Sequence, residues 1–292
     1  MNIALVTWEG LPSLDPDDRR LAASLVARGA TTVPAVWSDP SILWEEFDVT
    51  IVRSTWDYHR RLGEFLAWVD RVGALGRLLN IPATLRWNCD KRYLLDLARA
   101  GVRIPPTVWG PEVRSVTETM RERGWREAVV KPTVSASGEG TYRLRVEDGE
   151  RNEERLRSLR ARGDVMLQPY LPGVERPGER SLVFLGGEYS HAVVRRPKLA
   201  EATGLEEGAP ISPDPAEREL AGRAVAAVDP VPVYARVDLV PDLEGVPCVA
   251  ELELIEPLLY LGAAPGAPDR LAEAILRAVA TSIPASGSTR RG

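Results

Sequence analysis

The sequence predicts an α/β domain with a parallel sheet, followed by two α+β lobes. Short apolar strands alternate with helices over the first 85 residues, which is typical of a parallel sheet covered on both faces. Beyond residue 86 the pattern changes to hairpins mixed with helices, and 292 residues are enough for two or three packed units. We therefore divide the chain into an N-terminal domain (1–85), a central lobe (86–167), a C-terminal lobe (168–284) and a flexible tail (285–292).

The N-terminal domain is predicted to run strand, helix, strand, strand, helix. An acidic, proline-containing start and a glycine stop mark the first helix, DPDDRRLAASLVARGA, and helical spacing of apolar residues marks the second, RRLGEFLAWVDRVGAL. The strands are NIALVTW, TTVPAVW and FDVTIVRSTW, and LLNIPATLRWN leads out of the domain.

The central lobe is predicted to begin with a helix that starts near residue 89 and stops near Gly101. The loop TVSASGEGTYRLRV, rich in small residues, joins the strand GWREAVVKP to a further strand, and GERNEERLRSLRARGD is a charged surface helix. The strand VMLQPYLPGV breaks at Pro172 and Gly173 and leads into the last lobe.

The C-terminal lobe is predicted to open with the hairpin RSLVFLGGEYSHAVVRRP, which turns at Gly186 and Gly187. The segment LAEATGLEEGAPISPDP shows no period, so we expect residues 199–213 to be a mobile loop. The remaining elements are the helix AERELAGRAVAAV, the strands VYARVDLV and PCVAELELI, and the closing helix PDRLAEAILRAVATS.

Composition excludes several classes of protein. The net charge is −5 and the basic residues are scattered, which argues against a nucleic-acid-binding surface. No stretch approaches the roughly 18 apolar residues of a membrane span, and the start MNIALVTWEG does not resemble a signal peptide. Two cysteines are too few for a disulfide framework. We therefore expect a cytoplasmic protein without nucleic-acid or membrane partners.

The hairpin YARVDLVPDLEGVPCVAELELI carries charge on one face. If Glu244 and Gly245 form its turn, Asp238 lies opposite Glu251 and Arg236 lies opposite Glu253. These four side chains share one face because side chains alternate along a strand, and the other face is apolar: Val237, Leu239, Ala250, Leu252 and Leu254. Clustered carboxylates repel one another, and Mg²⁺ resolves that repulsion. A solvated strand face, on which Arg236 offsets two acids, is the alternative that periodicity leaves open.

Lysine is rare in this chain, since 37 basic residues include only Lys91, Lys131 and Lys198. Lys131 stands directly before the small-residue loop, and Lys91 stands at a predicted helix start, where the helix dipole disfavours a cation. Such local conflicts occur at functional sites. The alternative interpretation is a flexible turn with a solvated lysine, and exposure is the interpretation we favour for Lys198.

In their order along the chain, these elements resemble the ATP-grasp superfamily of carboxylate–amine ligases. The matching motifs are NCDK, VVKP, SASGEGT, LQPYLPGVE, ARVDLV and ELELIEP, which span residues 88–257. RSTWDY and LRWNCDK further resemble a subgroup similar to the O-ureidoserine cyclo-ligase of cycloserine biosynthesis, with glutathione synthetase and D-alanine–D-alanine ligase as more distant relatives. The resemblance implies an ATP-grasp fold in which the two lobes clasp ATP.

The resemblance also implies roles for individual residues. Lys91 and Lys131 would hold ATP phosphates, because a compact ammonium can follow a phosphate oxygen where a planar guanidinium does not fit. Arg236 would neutralise the transferring phosphoryl group and act with Lys131 in catalysis. Further nucleotide contacts would come from the loop residues Ser135, Ser137, Gly138, Gly140 and Thr141, the hinge residues Gln168, Pro169, Tyr170 and Leu171, and Glu175 at the ribose. Asp238, Glu251 and Glu253 would bind one or two Mg²⁺ ions, for which Mn²⁺ can substitute; relatives often have asparagine at the third position.

The substrate is the least constrained feature. Ligands of open α/β sheets bind beyond the carboxyl ends of the strands, where Arg53 can hold a carboxylate and Asp57 an ammonium group. Arg195, in VVRRP, is a third candidate, although KLAEATGLEEGAPI replaces the GDFR-like stretch of relatives. Helix capping by Asp57 and a surface ion pair of Arg53 are the alternatives. We interpret His59 and His191 as surface or hydrogen-bonded residues, since neither has metal-ligand spacing.

The sequence thus predicts an ADP-forming ligase that makes an amide-type bond through an acyl phosphate of a small amino-acid-like substrate. Intramolecular cyclisation and intermolecular joining both remain open, and a second copy of the chain in a homodimer is an optional partner. A nucleotide-binding sensor or scaffold without turnover is the alternative from another class. A Rossmann-type dehydrogenase is disfavoured, because VTWEGLPSLD lacks the glycine fingerprint after the first strand.

Overall fold

The computed structural model describes residues 1–195 and 208–282. Lys198, most of the predicted mobile loop and the predicted tail lie outside these residues. The strands are β1 (Asn2–Thr7), β2 (Thr31–Val36), β3 (Val49–Ser54), β4 (Leu78–Leu79), β5 (Val108–Trp109), β6 (Glu127–Pro132), β7 (Tyr142–Arg145), β8 (Val165–Pro169), β9 (Glu179–Leu185), β10 (Glu188–Arg195), β11 (Ala209–Ile211), β12 (Tyr234–Pro241) and β13 (Pro247–Glu253). The helices are α1 (Pro16–Ala27), α2 (Leu62–Gly73), α3 (Pro82–Asn88), α4 (Tyr93–Arg99), α5 (Val116–Glu122), α6 (Gly149–Arg160), α7 (Pro215–Ala226) and α8 (Ala267–Ser282).

The first sheet is parallel, as predicted, with strand order β2-β1-β3-β4. Its central strands, β1 and β3, are mostly apolar, and all of their residues except Asn2 are buried, because helices pack against both faces of the sheet. Helix α1 begins behind Asp15, whose carboxylate accepts hydrogen bonds from the backbone N–H groups of Asp17 (2.6 Å) and Asp18 (3.0 Å). The acidic start predicted from the sequence is therefore an N-cap.

The two later sheets are antiparallel, which confirms the α+β interpretation of the rest of the chain. The central sheet has the order β5-β8-β6-β7 and the last sheet has the order β11-β10-β9-β12-β13. The turn between β9 and β10 falls at Gly186 and Gly187, whose φ angles of 64° and 83° lie in the region that a two-residue hairpin turn requires. The predicted boundary at residue 168 falls within β8 of the central sheet.

Four local predictions differ from the structure. The segment predicted only to lead out of the first domain contains α3, because Pro82 at the first helical position is pre-set for a helix start. Helix α4 begins at Tyr93 rather than near residue 89, since Asp90 accepts a hydrogen bond from the Arg92 N–H (2.9 Å) and forms a turn before the helix. Helix α5 has no counterpart among the predicted elements. Strand β11, within the predicted mobile loop, pairs with β10 at the sheet edge.

Buried amide side chains connect the first domain to the last sheet. Asn80 donates to the carbonyl of Leu254 (2.9 Å) and accepts from the N–H of Val233 (2.7 Å). Asn88 donates to the carbonyl of Leu252 and accepts from the N–H of Leu254, both at 2.8 Å. These bonds fix β13 relative to the helices that precede the central lobe.

Helix α8 returns to the first domain. Its Leu271 and Ile275 are fully buried in one apolar cluster with Leu21 and Leu25 of α1 and with the first sheet. On the surface, Arg28 of α1 pairs with two carboxylates of α8, at 2.7 and 2.9 Å. The first and last helices therefore cover the same face of the first sheet. Among the helices of residues 1–195 and 208–282, none combines the length and the apolar composition of a membrane span.

Candidate active site

The predicted charged face of β12 and β13 is confirmed. Asp238 pairs with Glu251 and Arg236 pairs with Glu253, and the three carboxylates place ligand oxygens within 4.8 Å of one another. A bulge follows these pairs, so that Leu239 faces Val249. The buried apolar face therefore contains Val249 in place of the predicted Ala250, which packs on the opposite side of the hairpin.

Asp238 is completely buried, and both of its oxygens accept hydrogen bonds. Ser181 Oγ donates to Oδ1 at 2.6 Å, Arg195 Nη2 donates to Oδ2 at 2.6 Å, and Arg236 donates through Nε and Nη2 at 2.9 Å each. Burial alone would raise the pKa of Asp238, but the two guanidinium groups outweigh it and hold the pKa well below its usual range. Asp238 is thus a stable anion.

Glu251 and Glu253 are half-buried and each bonds to one cation. Oε1 of Glu251 lies 3.0 Å from Nζ of Lys91, and Oε1 of Glu253 accepts a hydrogen bond from Arg236. Burial and the neighbouring carboxylates raise the pKa of Glu253 to about 7, whereas Lys91 and Lys131 outweigh burial and lower the pKa of Glu251.

This donor set suits Mg²⁺. The Oε2 atoms of Glu251 and Glu253 have no hydrogen-bond partner among residues 1–195 and 208–282, so each offers a free carboxylate oxygen beside the buried Asp238. Hard divalent cations prefer carboxylate oxygens and leave room for phosphate and water. Direct coordination by Asp238 would require Arg195 or Arg236 to release one of its oxygens.

The two predicted phosphate-binding lysines differ in the contacts that their ammonium groups make with other protein groups. Lys91 is buried, and its Nζ donates to the carbonyl of Ser135 at 2.7 Å besides contacting Glu251. Lys131, near the end of β6, is half-buried, and its ammonium group makes no hydrogen bond or ion pair within the described ranges. Burial lowers the pKa of Lys131, and the nearby Lys91 charge acts in the same direction. The Lys131 ammonium is therefore a positive charge without a protein partner in the described part of the chain.

The loop 135–141, which we call the phosphate loop, has the backbone of an anion cradle. Ser137, Gly138 and Gly140 have φ angles of 52°, 72° and 75°, and a Cβ added at Gly140 would lie 2.9 Å from the Pro132 ring. The N–H groups of Glu139 and Thr141 close turns within the loop, whereas those of Ser137, Gly138 and Gly140 have no partner among the described residues. Successive free N–H groups in such a loop can bind phosphate oxygens.

The predicted adenine hinge lies at the end of β8. Gln168 is buried and donates from Nε2 to Thr107 Oγ1 at 2.9 Å, and Pro169 ends the strand before Tyr170 and Leu171. Glu175, the predicted ribose ligand, accepts hydrogen bonds from the Tyr170 hydroxyl and from Arg143 Nη1 (2.7 Å). Tyr170, Glu175 and Arg143 thus form one cluster just beyond β8, whereas Gln168 contacts Thr107.

The three predicted substrate residues all contact other protein groups. Arg53 is only 1% exposed; it donates to Asp18 (2.8 Å) and to the carbonyl of Pro257 (3.0 Å), and its Nη1 has no partner among the described residues. Asp57 accepts a hydrogen bond from the Trp37 indole at 2.8 Å, which replaces the helix cap considered above. Arg195 bridges Asp238 and Glu179, to which it donates at 2.7 Å.

Sequence reasoning missed two members of this charged network. Ser181 lies opposite Asp238 on β9, and Glu179 lies opposite Arg195. The signal was the Gly186–Gly187 hairpin, but a bulge between Tyr189 and His191 shifts its register by one residue. A count from the turn alone would therefore have paired Glu179 with Val194 instead of Arg195.

Comparison with known proteins relates almost all of the chain to one enzyme type. The family described as the N-terminal domain of D-cycloserine synthetase DcsG matches residues 3–80. Over 290 residues the chain is 34% identical to the cycloserine biosynthesis protein DcsG of Streptomyces lavendulae, covering 94% of this chain and 97% of that protein. The crystal structure of D-cycloserine synthetase DcsG aligns with a TM-score of 0.89 and 33% identity, covering 96% of this chain and 100% of that chain.

Two further proteins are less similar to this chain. Glutathione synthetase of Thermosynechococcus vestitus is 33% identical over 128 residues, which are 44% of this chain and 38% of that protein. A structure of the ATP-grasp ligase PsnB, complexed with a phosphomimetic variant of its minimal precursor, Mg and ADP, aligns with a TM-score of 0.66. Its identity of 19%, over 94% of this chain and 97% of that chain, makes this a likeness of fold.

Proposed function

The chain belongs to the ATP-grasp carboxylate–amine ligases of the D-cycloserine synthetase DcsG type, and we propose that it closes a ring within one small amino-acid-like substrate. As a member of this family, it is an ATP-dependent ligase that forms amide bonds and uses Mg²⁺. The observation that carries this proposal is the extent of the relationship. The match to DcsG covers 97% of that protein and the family match covers residues 3–80, where the substrate is expected. The glutathione synthetase match covers less than half of the chain. A sensor without turnover is not favoured, because the chain retains both proposed phosphate-binding lysines and all three proposed metal-binding carboxylates.

The proposed reaction has two steps. The substrate carboxylate attacks the γ-phosphorus of ATP, which gives an acyl phosphate and ADP. A nitrogen of the same molecule then attacks the carbonyl carbon, the bond from that carbon to the phosphate oxygen breaks, and phosphate leaves with the electron pair. The nitrogen loses a proton, so the cyclic product is lighter than the substrate by one water.

The residues would share this work by position. Lys131 offers an uncommitted cation to the phosphates, and Lys91, bonded to Ser135, would bring a second charge to the start of the phosphate loop. Arg236 would stabilise the charge of the transferring phosphoryl group, because its fixed guanidinium already faces two carboxylates of the metal cluster. The bound Mg²⁺ would neutralise phosphate charge and orient the γ-phosphate. The hinge at Gln168 would hold the adenine through its backbone.

The substrate would lie between the first sheet and this charged face. Arg53 Nη1, buried without a partner in the described part of the chain, is the donor that we propose for a substrate carboxylate. Asp57 lies at the same carboxyl end of β3 and would meet an ammonium group, and Arg195 would act from the opposite side of the metal cluster. These assignments suit a molecule of amino-acid size.

The test is an ADP-release screen with mass spectrometry of the products. Amino acids and ureido-amino acids are supplied singly and in pairs with Mg·ATP. We expect turnover with one compound alone and a product lighter than it by one water. A strict requirement for two compounds, with a product equal to their sum less water, would reject cyclisation in favour of intermolecular joining.

The metal count, assembly and location complete the proposal. The cluster would hold one or two Mg²⁺ ions, with Mn²⁺ able to support turnover. Equilibrium dialysis with ADP measures the number of bound ions.

The free thiols of Cys89 and Cys248 are buried and suit a reducing cytoplasm. A homodimer is the assembly to test by light scattering.

A further inference from the structure

The phosphate loop is tied to the first domain by a contact that the function above does not use. Both Nε and Nη2 of Arg60 donate to Oε2 of Glu139, at 3.0 and 2.8 Å. His59 Nε2, as the protonated nitrogen, donates to the same oxygen at 3.1 Å. We call these three residues the Glu139 latch. It joins positions about 80 residues apart in the sequence.

Each side of the latch is held in place. Glu139 stands between Gly138 and Gly140, and its own N–H donates to the carbonyl of Ala136 at 3.0 Å, so its carboxylate moves with the loop backbone. His59 has a side chain that is only 7% exposed, and it follows the buried Tyr58. The latch therefore joins two constrained segments rather than two free surface chains.

The first-domain side of the latch also leads to the expected substrate. Arg60 donates its backbone N–H to the carbonyl of Asp57 at 3.0 Å, and the Trp56 indole donates to the carbonyl of Glu256 at 3.2 Å. One short segment after β3 thus contacts the phosphate loop, carries a proposed substrate residue and reaches the strand end beyond the metal cluster.

We propose that Glu139 is a positioning residue that seats the phosphate loop against the first domain, so that ATP phosphates and substrate are enclosed together and the acyl phosphate is shielded from water. The shielding rests on the function proposed above, whereas the seating does not. Without the shielding, water attacks the carbonyl carbon of the acyl phosphate and phosphate leaves. The substrate carboxylate returns unchanged, and ATP and water are converted to ADP and phosphate without product.

The first experiment needs neither substrate nor nucleotide. Hydrogen exchange of peptides covering residues 135–141 is compared between the unaltered chain, Glu139→Ala and Glu118→Ala. Glu118 is a matched control, because its exposed carboxylate has no side-chain partner among the described residues. We expect exchange about three- to tenfold faster in Glu139→Ala alone, a modest factor because the Glu139 and Arg60 side chains are 42% and 61% exposed.

The second experiment measures ADP formed per cyclic product. We expect a ratio near one for the unaltered chain and for Glu118→Ala, and a ratio of about two or more for Glu139→Ala, with a raised KM for ATP. Glu139→Gln keeps an oxygen acceptor for His59, so its ratio of ADP to cyclic product should lie between those of the unaltered chain and Glu139→Ala. In the Glu139→Ala background, Arg60→Ala should add no further change, because its partner is already gone.

The two experiments distinguish failure of the loop seating, failure of the shielding and failure of the cyclisation proposal. If Glu139→Ala exchanges like Glu118→Ala, the latch does not seat the loop and the proposal is overturned, whatever the substrate. Faster exchange with an unchanged product ratio keeps the seating and rejects the shielding. If no amino-acid-like compound is turned over by the unaltered chain, the cyclisation proposal fails and the exchange result alone decides on the latch.

Discussion

Replacing Lys131 by methionine should separate ATP binding from stability. Methionine keeps most of the side-chain length and removes the charge. The Lys131 ammonium makes no hydrogen bond or ion pair among the described residues, so its loss leaves none of them newly unpaired. Lys91→Met is the matched comparison, because Lys91 donates to Ser135 and pairs with Glu251.

The expected loss of binding follows from the contact that is removed. A hydrogen bond from a charged group to phosphate contributes about 1.5–3 kcal/mol. This is a roughly ten- to hundredfold increase in the Kd for ATP, at about 1.4 kcal/mol per factor of ten. Lys131→Arg should also impair turnover if the geometry of a compact ammonium is needed.

Stability should change in the other direction. Burial lowers the pKa of Lys131, so the folded chain holds this proton less tightly than the unfolded chain. The charged form therefore costs folding free energy below the folded-state pKa, and this cost fades as the pH rises through that pKa towards the ordinary value of 10.5. At neutral pH Lys131→Met should leave the Tm unchanged or raise it, whereas Lys91→Met should lower stability by roughly 1–3 kcal/mol because Glu251 loses its partner.

Calorimetric titration with ATP and thermal unfolding without nucleotide measure the two effects. The reasoning is refuted if Lys131→Met binds ATP with unchanged affinity, which would remove Lys131 from the site. A large fall in Tm for Lys131→Met would show that its ammonium supports the fold after all.

Three further predictions concern the metal, the loop and the substrate. Asp238→Asn or Glu251→Gln should raise the Mg²⁺ concentration needed for half-maximal turnover and depress kcat, and an unchanged metal requirement would exclude the substituted residue. Residues 135–141 should become more protected from hydrogen exchange when Mg·ATP is added, and equal protection would argue against closure over the nucleotide. Arg53→Ala should raise the substrate KM but also destabilise the fold by about 3–5 kcal/mol, because Asp18 is left buried and unpaired. The double variant Asp18→Asn with Arg53→Gln avoids that charge, and an unchanged KM in it would place the substrate elsewhere.

The carboxylate cluster was predictable because side chains alternate along strands, but the turn that set its predicted register differs in the structure. Pro241 pairs with Pro247, so the turn is centred on Glu244 rather than between Glu244 and Gly245. The bulge between Asp238 and Leu239 adds one residue to β13, and this restores the predicted pairs with Glu251 and Glu253. The bulge between Tyr189 and His191 also lies between the turn and the site, and it pairs Glu179 with Arg195, where a count from the turn would pair it with Val194. A single sequence does not show where an extra residue enters a ladder.

Other parts of the site depend on contacts between distant segments. Nothing in the local pattern around Arg53 indicates that Asp18 of α1 is its buried partner. The pairing of Glu139 with His59 likewise joins the loop between β6 and β7 to the segment after β3. Residue type predicted that His59 would be hydrogen-bonded or at the surface, but its partner required the packed structure. Propensity and alternation thus specify elements and faces, whereas tertiary packing decides which charges meet.

The return of α8 to the first domain has a consequence for synthesis on the ribosome. Residues 2–79 contain the whole first sheet, but a large part of its apolar cover comes from residues 267–282. At translation rates of about 5–20 residues per second, α8 is synthesised roughly ten to forty seconds after the last strand of the first sheet. During that time, the part of this apolar cluster that α8 covers is exposed to water or to a chaperone. Folding of the first domain should be completed only after residues 267–282 have been synthesised, and a fragment of this domain expressed alone should be prone to aggregate.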